Sequence, residues 1–162
     1  MSIIVNATPL ISLATIQQLD LLHKIFYDVY LPSAVYREVI LDGKNKAGHL
    51  QLANTHWFQV VDTINGALKR SIMLQLDEGE AEVITVAKDR NISLVCIDEF
   101  AGRRYAGLLG LNVIGTLGVL LIAKQRGYIS AVKPLLDMLI DNQRYIGHAL
   151  YSDVLRKAGE QP

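Results

Sequence analysis

Residues 76–106, LDEGEAEVITVAKDRNISLVCIDEFAGRRYA, carry in one run a helix pattern, a turn, an apolar strand and acid at the strand's end. Asp77, Glu78 and Glu80 place carboxylates in the first helical turn, where the partial positive charge of a helix N-terminus favours them. Ala81, Val83, Ile84 and Ala87 supply the apolar stripe. Leu94-Val95-Cys96-Ile97 is apolar without alternation, which predicts a strand buried on both faces of a parallel sheet. Asp98-Glu99 follows at once. Ligands of open α/β sheets bind outside the carboxyl ends of the strands, so an acidic pair there is a candidate metal site.

The flanking sequence repeats the strand–helix alternation. Ser2–Val5 is a short apolar run ending at Asn6, and Thr8-Pro9 opens a helix, proline being favoured at the first helical position. Leu19–Phe26 is a second amphipathic piece, Val29–Leu31 a strand, and Pro32-Ser33 the start of a helix through Ile40. His49–Asn54 predicts a short helix, Trp57–Val61 a strand and Ile64–Gln75 a helix. Downstream come a helix from Phe100 to Leu109 stopped by Gly110, a strand at Val113-Ile114, and a helix from Gly115-Thr116 to Arg126 ended by Gly127. Ala131–Ile140 is helical again, and Tyr145–Gly159 reads as a short extended piece and a last helix. The alternation implies right-handed βαβ units and a parallel sheet: an α/β fold in one domain spanning residues 1–162.

The 162 residues are 51% hydrophobic and 20% charged, with 16 Lys+Arg against 16 Asp+Glu. Mean hydropathy is +0.25. That composition is globular, and the charge balance excludes a strongly basic surface over the whole chain. A near-neutral, rather apolar small protein is expected to cover part of its surface in an oligomer or partner interface. The single Cys96 excludes an intramolecular disulfide and a Cys-rich zinc site, and its apolar neighbours make it a buried, inert thiol. The N-terminal run has no basic flank and is interrupted by Asn6, Thr8 and Pro9, unlike a signal peptide. The apolar run Leu108–Ala123 is shorter than the roughly 20 residues of a spanning helix. A soluble cytoplasmic protein is expected.

No G-x-G-x-x-G, P-loop, H-E-x-x-H or nucleophile elbow occurs. His23, His49, His56 and His148 have no paired ligand spacing. What remains is oxygen near strand ends and helix starts: Asn6, Glu38, Glu80, Glu82 and Asp98-Glu99. Hard cations such as Mg²⁺ and Mn²⁺ take such ligands, and a bound cation relieves the repulsion of clustered carboxylates. Each residue also has an ordinary reading. Glu38 alone is by default a solvated helix residue, Glu78, Glu80 and Glu82 are first-turn acids, and Asp98 is a helix cap. Arg103 and Arg104 are by default a solvated face, and otherwise hold substrate phosphates.

VNATPLISLA, LPSAVYREV, GEAEVITVA, CIDEFAGRRYA, LNVIGTLGVLLIAKQRGYI and LYSDVLRKAGE together give the chain a resemblance to PIN-domain proteins of the DUF3368 type, VapC-like and predicted to bind nucleic acid. The resemblance implies an α/β/α sandwich with a central parallel sheet and Mg²⁺- or Mn²⁺-dependent cleavage of RNA. It also implies a homodimer and, for toxin members, a small antitoxin partner. Residue by residue, Asp98 matches the acid ending the fourth strand, with Glu99 an acidic position beside it. Glu38 matches the acid of the helix after the second strand. Glu82 is preferred as the helix acid, with Glu80 as alternative. Asn6 stands where the family usually has its first Asp, and Thr8 supplies a hydroxyl two residues on. Metal ligands Asn6, Glu38, Glu82 and Asp98 are therefore expected, with Glu80 and Glu99 secondary, and Thr8, Arg103 and Arg104 on substrate phosphate. Asparagine coordinates through its carbonyl oxygen but brings no charge, which weakens the site. A catalytically degenerate PIN fold acting as a binding or regulatory module is the alternative. A flavodoxin-like or response-regulator-like domain also gathers acids at strand ends, but no suitable Lys–Thr set occupies the later strand ends.

Overall fold

Short β-branched and aliphatic runs become the strands of one parallel sheet in the computed structural model, which describes residues 1–161. They are β1 (Ser2–Val5), β2 (Asp28–Pro32), β3 (Phe58–Val61), β4 (Leu94–Cys96) and β5 (Asn112–Ile114), ordered β3-β2-β1-β4-β5. The chain therefore walks outward from β1 to β3 and then crosses back to add β4 and β5 on β1's other side. The strand order reverses between β1 and β4, and such a switch point opens a crevice at the carboxyl ends.

Helices fill the crossovers. α1 (Ala7–Thr15) and α2 (Asp20–Ile25) join β1 to β2. α3 (Ser33–Tyr36), α4 (His49–Ala53) and the residues between them join β2 to β3. α5 (Gly66–Ile72) and α6 (Glu78–Asp89) lead back to β4. α7 (Phe100–Leu108) joins β4 to β5, and α8 (Thr116–Gln125), α9 (Lys133–Asp141) and α10 (His148–Lys157) complete the chain. α6 lies across β2, β1 and β4 and packs on α3 and α5, whereas α1 and α2 pack with α8. Right-handed crossovers running in opposite directions along a sheet put their helices on opposite faces. The result is the expected α/β/α sandwich.

Ile3, Ile4, Val5, Val95, Cys96 and Ile97 are wholly buried, so the two central strands form a fixed floor beneath the crevice. Each such aliphatic side chain contributes about 1.5–3 kcal/mol on burial. Cys96 is buried as expected, and burial pushes its thiol well above the usual range. Gly110 and Gly127 sit at φ +79° and +76°, where the left-handed turn after a helix is easiest for a residue without a β-carbon. After α7 the stop is closed by Leu111 N–H donating to Ala106 O and Gly110 N–H to Gly107 O.

One expected element differs. The helix predicted through Ile40 is α-helical only in its first turn and continues as a π-helical turn, Arg37–Leu41. Apolar periodicity does not distinguish the two windings. The extended piece expected from Tyr145 lies in the connection from α9 to α10, with Gly147 in extended backbone at φ −62° and ψ 151°. Glu160 ties down this C-terminal hairpin, accepting from the Val132 and Lys133 N–H groups at 2.6 and 2.9 Å and from Lys124 Nζ at 3.2 Å. Among the described residues no helix is long and apolar enough to cross a membrane.

Candidate active site at the strand ends

Register brings the first residues beyond β1 and β4 side by side. Val5 pairs with Cys96, and Asn6 N–H donates to Cys96 O at 3.0 Å. Asn6 is the N-cap of α1, is buried, and makes no side-chain capping bond, which leaves its amide available to the crevice. A β-carbon on Gly79, in the first turn of α6, would lie 3.3 Å from Asn6 Oδ1 and 3.6 Å from Glu38 Oε2. These two oxygens thus face the same glycine from different crossovers. Glu38 reaches it from the π-helical turn. Such turns insert an extra residue into a helix and are frequent at functional sites.

Asp77 and Glu80 are arranged by a reciprocal capping box at the start of α6. Asp77 Oδ1 accepts from Glu80 N–H at 2.8 Å, and Glu80 Oε2 accepts from Asp77 N–H at 3.2 Å. The other oxygen of the buried Glu80 points at α7, where a β-carbon on Gly102 would stand 2.7 Å from Oε1. A side chain at Gly102 would displace that carboxylate and press on Ile97 Cγ2, 3.0 Å from the same β-carbon. Glu99, the N-cap of α7, accepts a hydrogen bond from the Thr8 hydroxyl on α1.

The carboxylates feel one another. Desolvation first, and then the charges of Asp77 and Glu99, hold Glu38 above its ordinary carboxyl pKa. Glu80 is raised by burial and by the same two neighbours, against the lowering effect of its backbone hydrogen bond to Asp77. Glu38, Asp77, Glu80 and Glu99 are therefore one electrostatic group, assembled at the N-termini of α6 and α7.

Glu82 and Asp98, both expected to ligate metal, are turned to other partners. Glu82 is buried with Oε2 accepting from Ala34 N–H and Oε1 from Lys69 Nζ, each at 2.7 Å. Residues two apart on a helix do not share a face, so Glu82 cannot look where Glu80 looks. Asp98 Oδ1 accepts from Thr116 N–H at 2.7 Å, and Oδ2 accepts from the Thr116 hydroxyl at 2.7 Å and Arg144 Nη2 at 2.9 Å. It caps the start of α8, the ordinary reading of such an acid applied to a different helix from the one that follows it. Arg103 Nη1 donates to Ile97 O at 2.8 Å, at the base of the crevice, and Arg104 is exposed. Of the histidines, His23 stacks on Trp57 and His49 bonds Ile40 O.

The family model described as DUF3368, PIN domain, matches residues 2–160. The chain belongs to the DUF3368 family of PIN domains. No curated protein matches it in a sequence search.

In this PIN domain the oxygen donors of the crevice are of the kind a hard divalent cation takes. Among the described residues no three His, Cys, Asp or Glu side chains form a ready-made metal cage. That pattern still suits Mg²⁺, which is usually held by one or two carboxylates and completed by water and substrate phosphate. Asn6 Oδ1 and Glu38 Oε2 meet the requirement, with Glu80 and Glu99 adjacent. Asp77, Gly79 and Gly102 are not marked as site residues by any sequence motif, although the two glycines stand out. Their signal was present: a glycine within a helical turn costs about 1 kcal/mol relative to alanine, and close approach of another group is a common reason to keep one. Nothing local announces Arg144, which meets Asp98 across 46 residues of chain.

Proposed function

We propose that this PIN domain is a metal-dependent ribonuclease cleaving RNA phosphodiesters in the crevice of Asn6, Glu38, Glu80 and Glu99, with an activity weakened by Asn6. One observation carries the reading: Asn6 Oδ1 and Glu38 Oε2 converge on Gly79 beside carboxyls that raise one another's affinity for positive charge. Glu38 and Asn6 would hold the ion, Mg²⁺ or Mn²⁺, with Glu80 and Glu99 as the neighbouring acids. Bound there, such an ion supplies Lewis-acid polarisation of the phosphate and lowers the pKa of water.

The chain's own groups do the positioning. The capping box fixes Glu80, and the Thr8 hydroxyl orients Glu99. Arg103 and Arg104, on the helix that follows Glu99, would neutralise incoming phosphate, Arg103 from its bond to Ile97 O. Glu82 and Asp98 hold the scaffold. A homodimer and a small antitoxin partner extend the same reading, supported by the exposed apolar side chains Ile64, Met73 and Leu74 on either side of α5.

A second reading, a degenerate PIN fold that binds without turnover, is favoured by the uncharged Asn6. Calorimetric titration of Mn²⁺ into the metal-free protein and into Glu38→Gln and Glu82→Gln separates the two. Saturable binding lost in Glu38→Gln and kept in Glu82→Gln, followed by Mn²⁺-dependent RNA cleavage, supports the nuclease. Absence of binding to the parent protein supports the binding module.

A further inference from the structure

Two of the most exposed aromatic side chains flank the Asp98-Glu99 pair. Phe100, the first residue of α7, follows Glu99 and is 79% exposed. Tyr145, 94% exposed, follows Arg144, whose guanidinium bonds Asp98. A small cavity of about 150 Å³ lined by Asp98, Thr116, Arg144 and Tyr145 lies beside that bond. Lone exposed aromatics need no explanation, but each of these has arginine within reach. Arg103 and Arg104 lie three and four residues beyond Phe100 on α7, hence on its side of the helix. The chain has no net positive charge, so guanidinium groups beside these two exposed rings do not reflect a generally basic surface.

A flat ring beside a cation matches one unit of a single strand: an unpaired base on the ring and its phosphate on the guanidinium. Bases stacked within a duplex cannot use such a ring. We propose that Phe100 and Tyr145 are base-stacking residues of a single-stranded RNA track that crosses the crevice, with Arg144 and Arg104 on its phosphates. The inference rests on the nuclease reading for its choice of RNA and adds the residues that grip the strand. Tyr27, 85% exposed just before β2, sits at the opposite end of the sheet and serves as an internal control.

The test is fluorescence anisotropy of a 5′-labelled single-stranded RNA of roughly ten nucleotides, within the span such grooves cover. It is run in EDTA at low salt on the whole protein. Phe100→Ala and Tyr145→Ala should each weaken binding about fivefold to a hundredfold, the effect of losing one stacked base. Phe100→Trp, Tyr145→Phe and Tyr27→Ala should bind as the parent does, and a duplex of the same sequence should compete poorly. The inference is overturned if both alanine variants bind like the parent. It is also overturned if they change only the protein's oligomeric state by light scattering, which would mark a protein interface. Because EDTA removes turnover, the two readings fail separately. RNA binding that depends on the rings without any Mn²⁺-dependent cleavage sinks the nuclease alone, whereas cleavage indifferent to both rings sinks this inference alone.

Discussion

Gly79→Ala should separate the crevice from the fold. The added methyl would lie 3.3 Å from Asn6 Oδ1, 3.5 Å from Asp77 Oδ1 and 3.6 Å from Glu38 Oε2. Only the first contact is tight, by a few tenths of an ångström, and no capping bond holds the Asn6 amide in place. It can yield. Against that small cost, replacing a helical glycine by alanine stabilises by about 0.5–1 kcal/mol. For a chain of 162 residues that is a melting temperature unchanged or raised by up to about 4 °C. The cation site fares differently. Mg²⁺ sits about 2.0–2.1 Å from its oxygens and keeps several waters, and the methyl occupies space between the two oxygens that would need it. Mn²⁺ affinity should fall at least about tenfold, or ~1.4 kcal/mol. Thermal scans in EDTA and calorimetry with Mn²⁺ measure the two effects. Parent-like Mn²⁺ binding would refute the placement of the site. A melting temperature several degrees lower in EDTA would refute the argument that Asn6 gives way.

Three further outcomes follow from the same geometry. Asn6→Asp should raise Mn²⁺ affinity about tenfold and, by adding another carboxylate to the group, lower the melting temperature in EDTA; no change in either would remove Asn6 from the site. Glu82→Ala leaves Lys69 and the Ala34 N–H without their partner and should cost about 3 kcal/mol, roughly 6–12 °C, while Mn²⁺ binding persists; loss of binding in a folded variant would return Glu82 to the metal. Glu38 and Glu80 both have folded values above their ordinary 4.5, so the folded protein holds their protons more tightly than the unfolded chain does. The stability they contribute is complete below pH 4.5 and is lost as pH rises through the folded values. The advantage of Glu38→Gln over the parent in EDTA melting should therefore grow with pH across that window, and a constant difference would contradict the assignment.

How much of this was legible beforehand depends on the range of the interactions. Capping residues, glycine stops and apolar periodicity are local, and they located nearly every strand and helix to within a residue or two. The unalternating runs Ile3–Val5 and Leu94–Ile97 marked the two strands buried on both faces, and with them the parallel sheet and the crevice. The π-helical turn at Arg37–Leu41 escaped because winding is a response to tertiary packing.

Element order alone places oxygen donors at the carboxyl ends of β1 and β4 and at the start of α6: Asn6, Asp98-Glu99 and the acids from Asp77 to Glu82. Which of them look inward depends on contacts between distant elements. Glu80 and Glu82 lie about 200° apart around α6, at ~100° per residue, and Asp98 and Glu99 leave the end of β4 in different directions. Lys69 and Ala34 claim Glu82, and Thr116 and Arg144 claim Asp98. The partners Ala34, Thr116 and Arg144 come from other elements, 48, 18 and 46 residues away in the chain. No local pattern can say which neighbouring acid such distant groups will reach, and that choice leaves Glu80 and Glu99 beside Asn6 and Glu38.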